Sequence, residues 1–292
     1  MTKKEIEERK FRPARQEADD ARKAIETPQT SSAAYKLAFQ DNEFLLREDL
    51  RPVRFQLELL KPQLLMDEAR IESTFVFYGS ARIPEPDQVQ ARIDAATTPE
   101  QKKIAENLGK KARYYEEARK LARIAAQYPV NAAGCRHFVV CSGGGPSIME
   151  AANRGAVDVG QTTIGMNIVL PHEQAPNLFV TPELSFQFHY FALRKMHFLL
   201  RARALAVFPG GFGTFDEMFE LLTLIQTGKI EPIPVLFYGK EFWTRVVNFE
   251  ALVEEGVISP RDLNLFHFVE TAEEGWEIVQ NFWRNRRNSQ QD

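Results

Sequence analysis

The chain has 292 residues, 44% of them hydrophobic and 26% charged, which is enough for one large α/β domain or two smaller ones around a sizeable core. Its 37 basic and 40 acidic residues give a formal net charge of −3, a balance that does not favour nucleic acid or an anionic membrane as the main partner. The two cysteines, Cys135 and Cys141, cannot form a disulfide framework, and no Cys/His spacing resembles a zinc site.

Residues 1–71 are expected to form an N-terminal extension outside the main sheet. Residues 1–30 are charged and show little hydrophobic period, so this part is predicted to be frayed. Apolar residues at helical spacing up to residue 71, interrupted near Pro52 and Pro62, predict helices. No apolar run approaches the roughly 20 residues of a membrane helix, and no signal segment is visible, so a cytoplasmic protein is expected.

The main domain is predicted to span residues 72–292 and to alternate strands with helices. Strands are predicted at 74–78, 137–141, 162–170, 184–188, 204–208, 233–237 and 266–269, and helices at 100–128, after 146, and at 191–203, 214–226, 241–255 and 272–286. This alternation indicates an α/β fold with a doubly wound, mostly parallel sheet, Rossmann-like in class, covered by helices on both faces. Ligands of such folds bind at the carboxyl ends of the strands.

Two glycine-rich turns follow predicted strands. Ser142 precedes three glycines and Pro146, and the segment Pro209 to Thr214 follows the strand that ends at Phe208. Residues without a Cβ atom allow a sharp turn and let backbone N–H groups approach a ligand closely, and the helix that follows points the positive end of its dipole at the same place. A phosphate group suits such a position.

Neither turn has the pattern of a dinucleotide or triphosphate site. Ile148 and Asp216 replace the third glycine of G-x-G-x-x-G, and neither turn has the form G-x-x-x-x-G-K-[ST]. A mononucleotide or a single phosphate ester is therefore the simpler ligand. The second turn also has a structural interpretation, because Thr214 and Glu217 have the spacing of a capping box.

The motifs resemble those of one family. Residues 209–217, which read PGGFGTFDE, resemble the PGGxGTxxE signature of the LOG family, cytokinin-activating phosphoribohydrolases and related bacterial nucleotide nucleosidases that are often labelled lysine decarboxylases by mistake. Residues 78–82, residues 142–153 and the pair Arg194-Lys195 stand in the order that this family shows. The resemblance covers about residues 72–255, and the form with extensions is similar to the bacterial AMP-nucleosidase-like branch.

The resemblance implies hydrolysis of a purine nucleoside 5′-monophosphate, such as AMP or a cytokinin riboside monophosphate, to free base and ribose 5-phosphate. It implies that Arg194 and Glu217 are catalytic and that the protein is a homodimer. A carboxylate can stabilise an oxocarbenium-like transition state and orient the attacking water, whereas a guanidinium can hold the phosphate or polarise the departing base. No cofactor and no metal are expected. The predicted substrate-binding residues are Gly79, Ser80, Arg82, Gly143, Gly144, Gly145, Met149, Glu150, Lys195, Gly210, Gly211, Gly213 and Thr214.

Several of these residues have a second interpretation. Lys195 could form a Schiff base with pyridoxal phosphate, as a decarboxylase would need, although its basic neighbours favour a basic helix face. Met149 could be a core side chain, Glu150 a helix-surface acid and Arg82 a solvated charge.

Three histidines are weaker candidates. His189 and His197 are eight residues apart and could share one helix face towards a substrate, although histidines packed in the core are more common. His172 is a weaker candidate for substrate contact than either.

A second class of function stays open at this point: a non-catalytic carrier of a nucleotide or a phosphorylated cofactor, as in molybdenum-cofactor carriers. Glu217 discriminates between the two, because a carrier needs the glycines but not a carboxylate at the sugar. The helix predicted at 191–203 suits part of the interface of the homodimer that the resemblance implies, through its apolar residues Phe191, Leu193, Phe198, Leu199 and Leu200.

Overall fold

The computed structural model describes residues 11–171 and 175–289. The chain divides into two compact units, one that ends at Leu57 and one that begins at Glu58. No helix of the described residues is long and apolar enough to cross a membrane.

The first unit contains short helical elements. Helix α1 lies at Ala14–Ala21, inside the part predicted to be frayed, and is followed by α2 at Asn42–Leu45 and by the start of α3 at Arg51–Glu68. Pro52 stands in the first turn of α3, where the missing N–H has no helical partner in any case. The break predicted at Pro62 is wrong: this residue is buried within α3, so packing outweighs the backbone hydrogen bond that proline removes.

The second unit is built on seven parallel strands, which confirms the predicted doubly wound α/β class. The spatial order is β4-β3-β2-β1-β5-β6-β7. The chain winds from β1 outward to β4, returns to place β5 beside β1, and winds outward again to β7, so the direction switches between β1 and β5. The strands are β1 Thr74–Tyr78, β2 Val139–Ser142, β3 Thr163–Ile168, β4 Ser185–Phe188, β5 Ala202–Val207, β6 Val235–Tyr238 and β7 His267–Val269.

The helices of this unit differ from the predictions at two breaks and at α4, Val89–Asp94, which lies in a polar stretch for which no helix was predicted. They are α4 Val89–Asp94, α5 Pro99–Gly109, α6 Arg113–Ala126, α7 Ile148–Val157, α8 Phe191–Leu200, α9 Phe212–Gln226, α10 Lys240–Val246, α11 Phe249–Glu254 and α12 Ala272–Asn288. The single helix predicted at 100–128 is two helices, and α5 begins at a capping box of Thr98 and Gln101. The helix predicted at 241–255 is also two, because the Asn248 side chain caps α11 by accepting from the Ala251 N–H.

Burial explains the positions of the central strands and of the helices that cover them. All five residues of β1 are buried, as expected of a parallel strand covered on both faces. Helix α6 places an apolar stripe against the core and packs on α7, where Gly155 is needed because a Cβ atom there would collide with the Arg119 carbonyl. This packing fixes the start of α7, and with it one wall of the region where the glycine turns meet.

Candidate active site

The carboxyl ends of β1, β2 and β5 are joined by backbone hydrogen bonds. Ser80 N–H donates to the Pro209 carbonyl at 3.1 Å, and Ile148 N–H donates to the Ser80 carbonyl at 3.4 Å. The loop after β1 therefore bridges the two glycine turns, at the point where the winding of the sheet changes direction. In doubly wound folds this is the place of the ligand crevice.

The first glycine turn, residues 143–146, is tightly packed. Gly144 has a φ of +73°, a left-handed conformation that favours glycine, and a Cβ atom there would lie 2.8 Å from the side-chain amide carbon of Asn167. Its N–H donates to Ser142 Oγ at 3.0 Å. Ser147, the N-cap of α7, also has a positive φ of 65°, a strained conformation of the kind that clusters at functional sites.

The second glycine turn is open to solvent on one side. A Cβ atom at Gly211 or Gly213 would meet no atom within 4 Å, whereas at Gly210 it would lie 2.6 Å from Thr214 Cβ. The capping-box interpretation is wrong, because α9 begins at Phe212 with Gly211 as its N-cap and without a side-chain cap. Thr214 is buried inside the first turn of α9, beneath Gly210.

Arg194 lies between the two turns. It projects from α8, donates through Nε to the Met166 carbonyl at 2.7 Å and through Nη1 to Glu217 Oε1 at 2.9 Å. Its guanidinium also lies over the ring of Phe198, 5.0 Å from the centroid. A Cβ atom at Gly143 would be 2.7 Å from Nη2, so the absence of a side chain there admits the guanidinium to the first turn.

Glu217 is the second half of this ion pair and belongs to α9. Its side chain is 13% exposed and that of Arg194 is 11% exposed. Burial raises the pKa of Glu217 to about 7, although the neighbouring guanidinium acts in the opposite direction. A carboxylate with a pKa near neutrality in a crevice is a candidate for acid–base chemistry.

Buried aromatic side chains pack next to the pair. The ring of Tyr78 packs edge-on against Phe198 at 5.1 Å, and burial raises the pKa of Tyr78 well above its usual value. Burial also raises the pKa of the Cys141 thiol, so this cysteine is a small buried hydrophobe and not a nucleophile.

Lys195 is held by two carboxylates of α9. Its ammonium lies 3.1 Å from Asp216 and 3.2 Å from Glu220. Burial acts to lower the pKa of Lys195, but the hydrogen bonds to these carboxylates outweigh it, and the pKa is raised. Arg194 and Lys195 together therefore pair with the three acidic residues nearest the second turn, two positive charges against three carboxylates.

The remaining predicted residues divide between the turns and their surroundings. Met149 lies against the first turn, since a Cβ atom at Gly143 or Gly145 would be within 2.8 Å of its side chain. Glu150 accepts a hydrogen bond from the Tyr115 hydroxyl at 3.3 Å. Arg82 is exposed, and its N–H donates to Ser80 Oγ at 3.0 Å. A Cβ atom at Gly79 would collide with Ile148.

The histidines do not form a common face. His189 precedes α8, and its backbone N–H donates to Glu58, so the prediction of a shared helix face is wrong. His197 is buried and bonds through Nε2 to the Glu58 carbonyl at 3.0 Å. His172 lies outside the described residues. Among the described residues no group of three His, Cys, Asp or Glu side chains could hold a metal ion.

Two asparagines at the first turn were not among the predicted site residues. Asn153 is fully buried, and its Oδ1 accepts from Ser142 Oγ at 2.7 Å and from Asn177 Nδ2 at 2.9 Å. Asn153 stands within the motif at 142–153, but Asn177 is 32 residues from Gly145 and no local pattern marks it.

A cavity of about 1070 Å³ lies towards the amino-terminal end of the sheet, where Ser73, Phe138 and Ala202 are among its lining residues, and it extends to Glu220 on α9. We place the candidate active site at the carboxyl ends, because the buried ion pair with the raised pKa and both glycine turns lie there.

The fold and the site define a doubly wound α/β protein with an arginine–glutamate pair between two glycine turns. A family model described as possible lysine decarboxylase matches residues 149–279, a range that includes Arg194, Glu217 and the second turn. Relatives of the chain among curated proteins are named LOG proteins. The resemblance to the LOG family is therefore confirmed.

Those relatives are plant proteins of low identity. One is the probable cytokinin riboside 5′-monophosphate phosphoribohydrolase LOGL3 of Oryza sativa subsp. japonica, 26% identical over 147 residues, which are 47% of this chain and 64% of that protein. Another is LOG3 of Arabidopsis thaliana, a cytokinin riboside 5′-monophosphate phosphoribohydrolase, 26% identical over 47% of this chain and 63% of its own. The match thus spans a little under two thirds of each.

Two solved structures are similar over nearly three quarters of the chain. TM1055 has a TM-score of 0.46 at 20% identity and covers 72% of this chain and 99% of its own. The Moco carrier protein from Chlamydomonas reinhardtii has a TM-score of 0.41 at 17% identity and covers 73% and 99%. At these TM-scores the likeness carries no functional information.

Proposed function

We propose that this protein hydrolyses the N-glycosidic bond of a nucleoside 5′-monophosphate, with a purine nucleotide such as AMP or a cytokinin riboside monophosphate as substrate. The observation that carries the proposal is the buried Arg194–Glu217 pair between the two glycine turns, with 2.9 Å between Nη1 and Oε1. The activity named for the rice and Arabidopsis relatives supports the same reaction.

The second turn is the proposed phosphate site. Helix α9 has 15 residues and begins there, so the positive end of its dipole faces the turn. Gly211 and Gly213 leave open space for close approach. The nearby acidic residues would repel a phosphate if they were unpaired, but Lys195 holds Asp216 and Glu220 while Arg194 holds Glu217.

Glu217 is then the group that acts at the sugar. Water adds its oxygen to the anomeric carbon as the bond to the base breaks, so that one water and one nucleotide give free base and ribose 5-phosphate. The carboxylate stabilises the positive charge on the ribose and accepts the proton of the water, which is finally transferred to the departing base nitrogen. A pKa of about 7 allows both accepting and releasing a proton near neutrality.

Arg194 and the first turn form the proposed base side of the site. Nη1 keeps Glu217 oriented, and Nη2 lies beside Gly143 and Met149. From this position the guanidinium can polarise the departing base. This assignment leaves the phosphate to the second turn and gives the two turns different tasks.

The arrangement of Lys195 argues against decarboxylase chemistry. A lysine that forms a Schiff base must present a neutral amine, usually through a lowered pKa. Hydrogen bonds to Asp216 and Glu220 raise the pKa of Lys195, which supports a structural, charge-neutralising role.

The proposal is tested by incubating the purified protein separately with AMP, GMP, CMP and adenosine and following free base and ribose 5-phosphate by chromatography. We expect release from AMP and none from adenosine, because adenosine has no phosphate for the second turn. If no base is released from any nucleotide while nucleotide binding is retained, the protein is a non-catalytic carrier and not a hydrolase.

The homodimer implied by the family is also a proposal. Leu193 and Phe198, expected at its interface, are buried within the protomer, whereas Phe191 at the start of α8 is exposed. Sedimentation velocity of the wild type and of Phe191→Glu tests whether this end of α8 contributes to an interface.

A further inference from the structure

Asn177, in the segment between β3 and β4, contacts the first glycine turn. Asn177 N–H donates to the Gly144 carbonyl at 2.7 Å, and Asn177 Nδ2 donates to the Gly145 carbonyl at 2.9 Å. Both glycines are buried, and a buried carbonyl without a partner is costly. A single residue thus satisfies two successive carbonyls of the turn.

The same asparagine belongs to a network of buried and half-buried polar groups. Its Nδ2 also donates to Asn153 Oδ1 at 2.9 Å, Asn153 Oδ1 accepts from the Ser142 hydroxyl, and Ser142 Oγ accepts from the Gly144 N–H. Both polar groups of Gly144 are therefore fixed, one through Ser142 and one through Asn177. Rotation of the peptide units of the turn would break several of these bonds at once.

We propose that Asn177 is a positioning residue for the base side of the site, acting through the first turn and not by contact with the reacting atoms. This inference rests on the proposed function, in which the first turn and Arg194 receive the base while the second turn receives the phosphate. Loss of the Asn177 side-chain bonds should therefore weaken recognition of the base half of the nucleotide and spare the phosphate half.

The test compares the wild type with Asn177→Leu, which has a similar volume but no donors. KM and kcat for AMP are measured together with equilibrium binding of AMP and of ribose 5-phosphate by calorimetry. We expect the variant to raise KM and Kd for AMP about tenfold or more, since two side-chain hydrogen bonds that brace the turn are lost. The Kd for ribose 5-phosphate should stay within twofold of the wild-type value.

Asn131 provides a matched control. Its side chain braces a turn at the other end of the sheet, accepting from Ala133 N–H at 3.0 Å and Cys135 N–H at 2.9 Å. Asn131→Leu should lower thermal stability while leaving both affinities unchanged, so a general loss of stability is separated from the selective effect.

Results other than a selective loss of AMP affinity bear on the positioning role or on the hydrolase proposal. Equal loss of affinity for AMP and ribose 5-phosphate in Asn177→Leu, or unchanged affinity for both, overturns the positioning role while the hydrolase proposal stands on wild-type turnover. If the wild type releases no base, the hydrolase proposal fails, and a selective loss of AMP binding in Asn177→Leu still supports the positioning role.

Discussion

The two glycine turns lie side by side but are held in different ways. The first is enclosed: Asn167 packs beneath Gly144, and Asn177 and Ser142 bond its polar groups. The second is supported from one side by Thr214 and leaves Gly211 and Gly213 open. A turn that is held rigid by its surroundings suits recognition of a ligand group by its shape. An open turn at a helix N-terminus suits an anion, which is attracted by the helix dipole.

The difference is most sharply tested at the carboxylate that stands next to the open turn. Glu217→Gln keeps the size of the side chain but removes the charge that would stabilise the transition state. We expect kcat for AMP to fall by about 100-fold or more, with Kd for AMP changed only a few-fold, as is usual when a preorganised electrostatic group is lost. Steady-state kinetics and calorimetry measure the two quantities.

Glu220→Gln is the matched control for this substitution. Glu220 lies one turn further along α9 and pairs with Lys195 at 3.2 Å, so its loss should affect activity far less. Turnover that survives in Glu217→Gln would make this residue structural and would move the reaction centre away from the pair.

The pH dependence of activity gives the next largest effect. The pKa of Glu217 is raised to about 7, chiefly by burial, so the carboxylate is ionised above that pH and protonated below it. If the ionised form is the active one, kcat/KM for AMP falls about tenfold for each pH unit below about 7 and levels off above it.

Arg194→Gln sharpens this prediction. The guanidinium lowers the pKa of Glu217, so its removal should move the midpoint of the pH profile upward as well as reduce the rate. A profile that is flat between pH 5.5 and 8.5 in the wild type contradicts the role of Glu217 as the titrating group.

The two turns also differ in how far the sequence alone determines them. The second turn could be located because all of its features, from Pro209 to Glu217, are contiguous in the sequence. Strand β1 was predicted with its observed bounds because a run of β-branched and aromatic residues ends at Gly79. The role of Asn177 could not be predicted, because only the pairing of β2 with β3 brings its loop to the first turn.

The errors have equally local causes. A capping box needs only Thr and Glu three residues apart, but a helix can begin earlier, and α9 begins at Phe212 because Gly211 takes the cap position. The breaks between α5 and α6 and between α10 and α11 leave the apolar spacing almost undisturbed, so periodicity alone did not reveal them.

The two turns should respond differently when a glycine in each is replaced by alanine and the free energy of unfolding is measured. Gly144→Ala places a Cβ atom on a residue with a φ of +73° and against the Asn167 amide. We expect a loss of about 1–3 kcal/mol in the free energy of unfolding, the usual cost of a left-handed non-glycine residue, and more if Asn167 cannot move. Urea denaturation measures this loss. An unchanged midpoint would mean that the first turn is not as enclosed as its contacts indicate.

Gly213→Ala is expected to have the smallest effect on stability and the opposite sign. Gly213 lies in α9, and a Cβ atom there meets nothing within 4 Å. Because alanine loses less backbone entropy than glycine in a helix, the free energy of unfolding should rise, by at most about 1 kcal/mol. If a phosphate approaches this backbone, the added methyl group should nevertheless raise KM for AMP. A variant that is more stable but binds AMP and ribose 5-phosphate less tightly would identify Gly213 as a glycine kept for its ligand, whereas unchanged binding would exclude the phosphate from this side of the second turn.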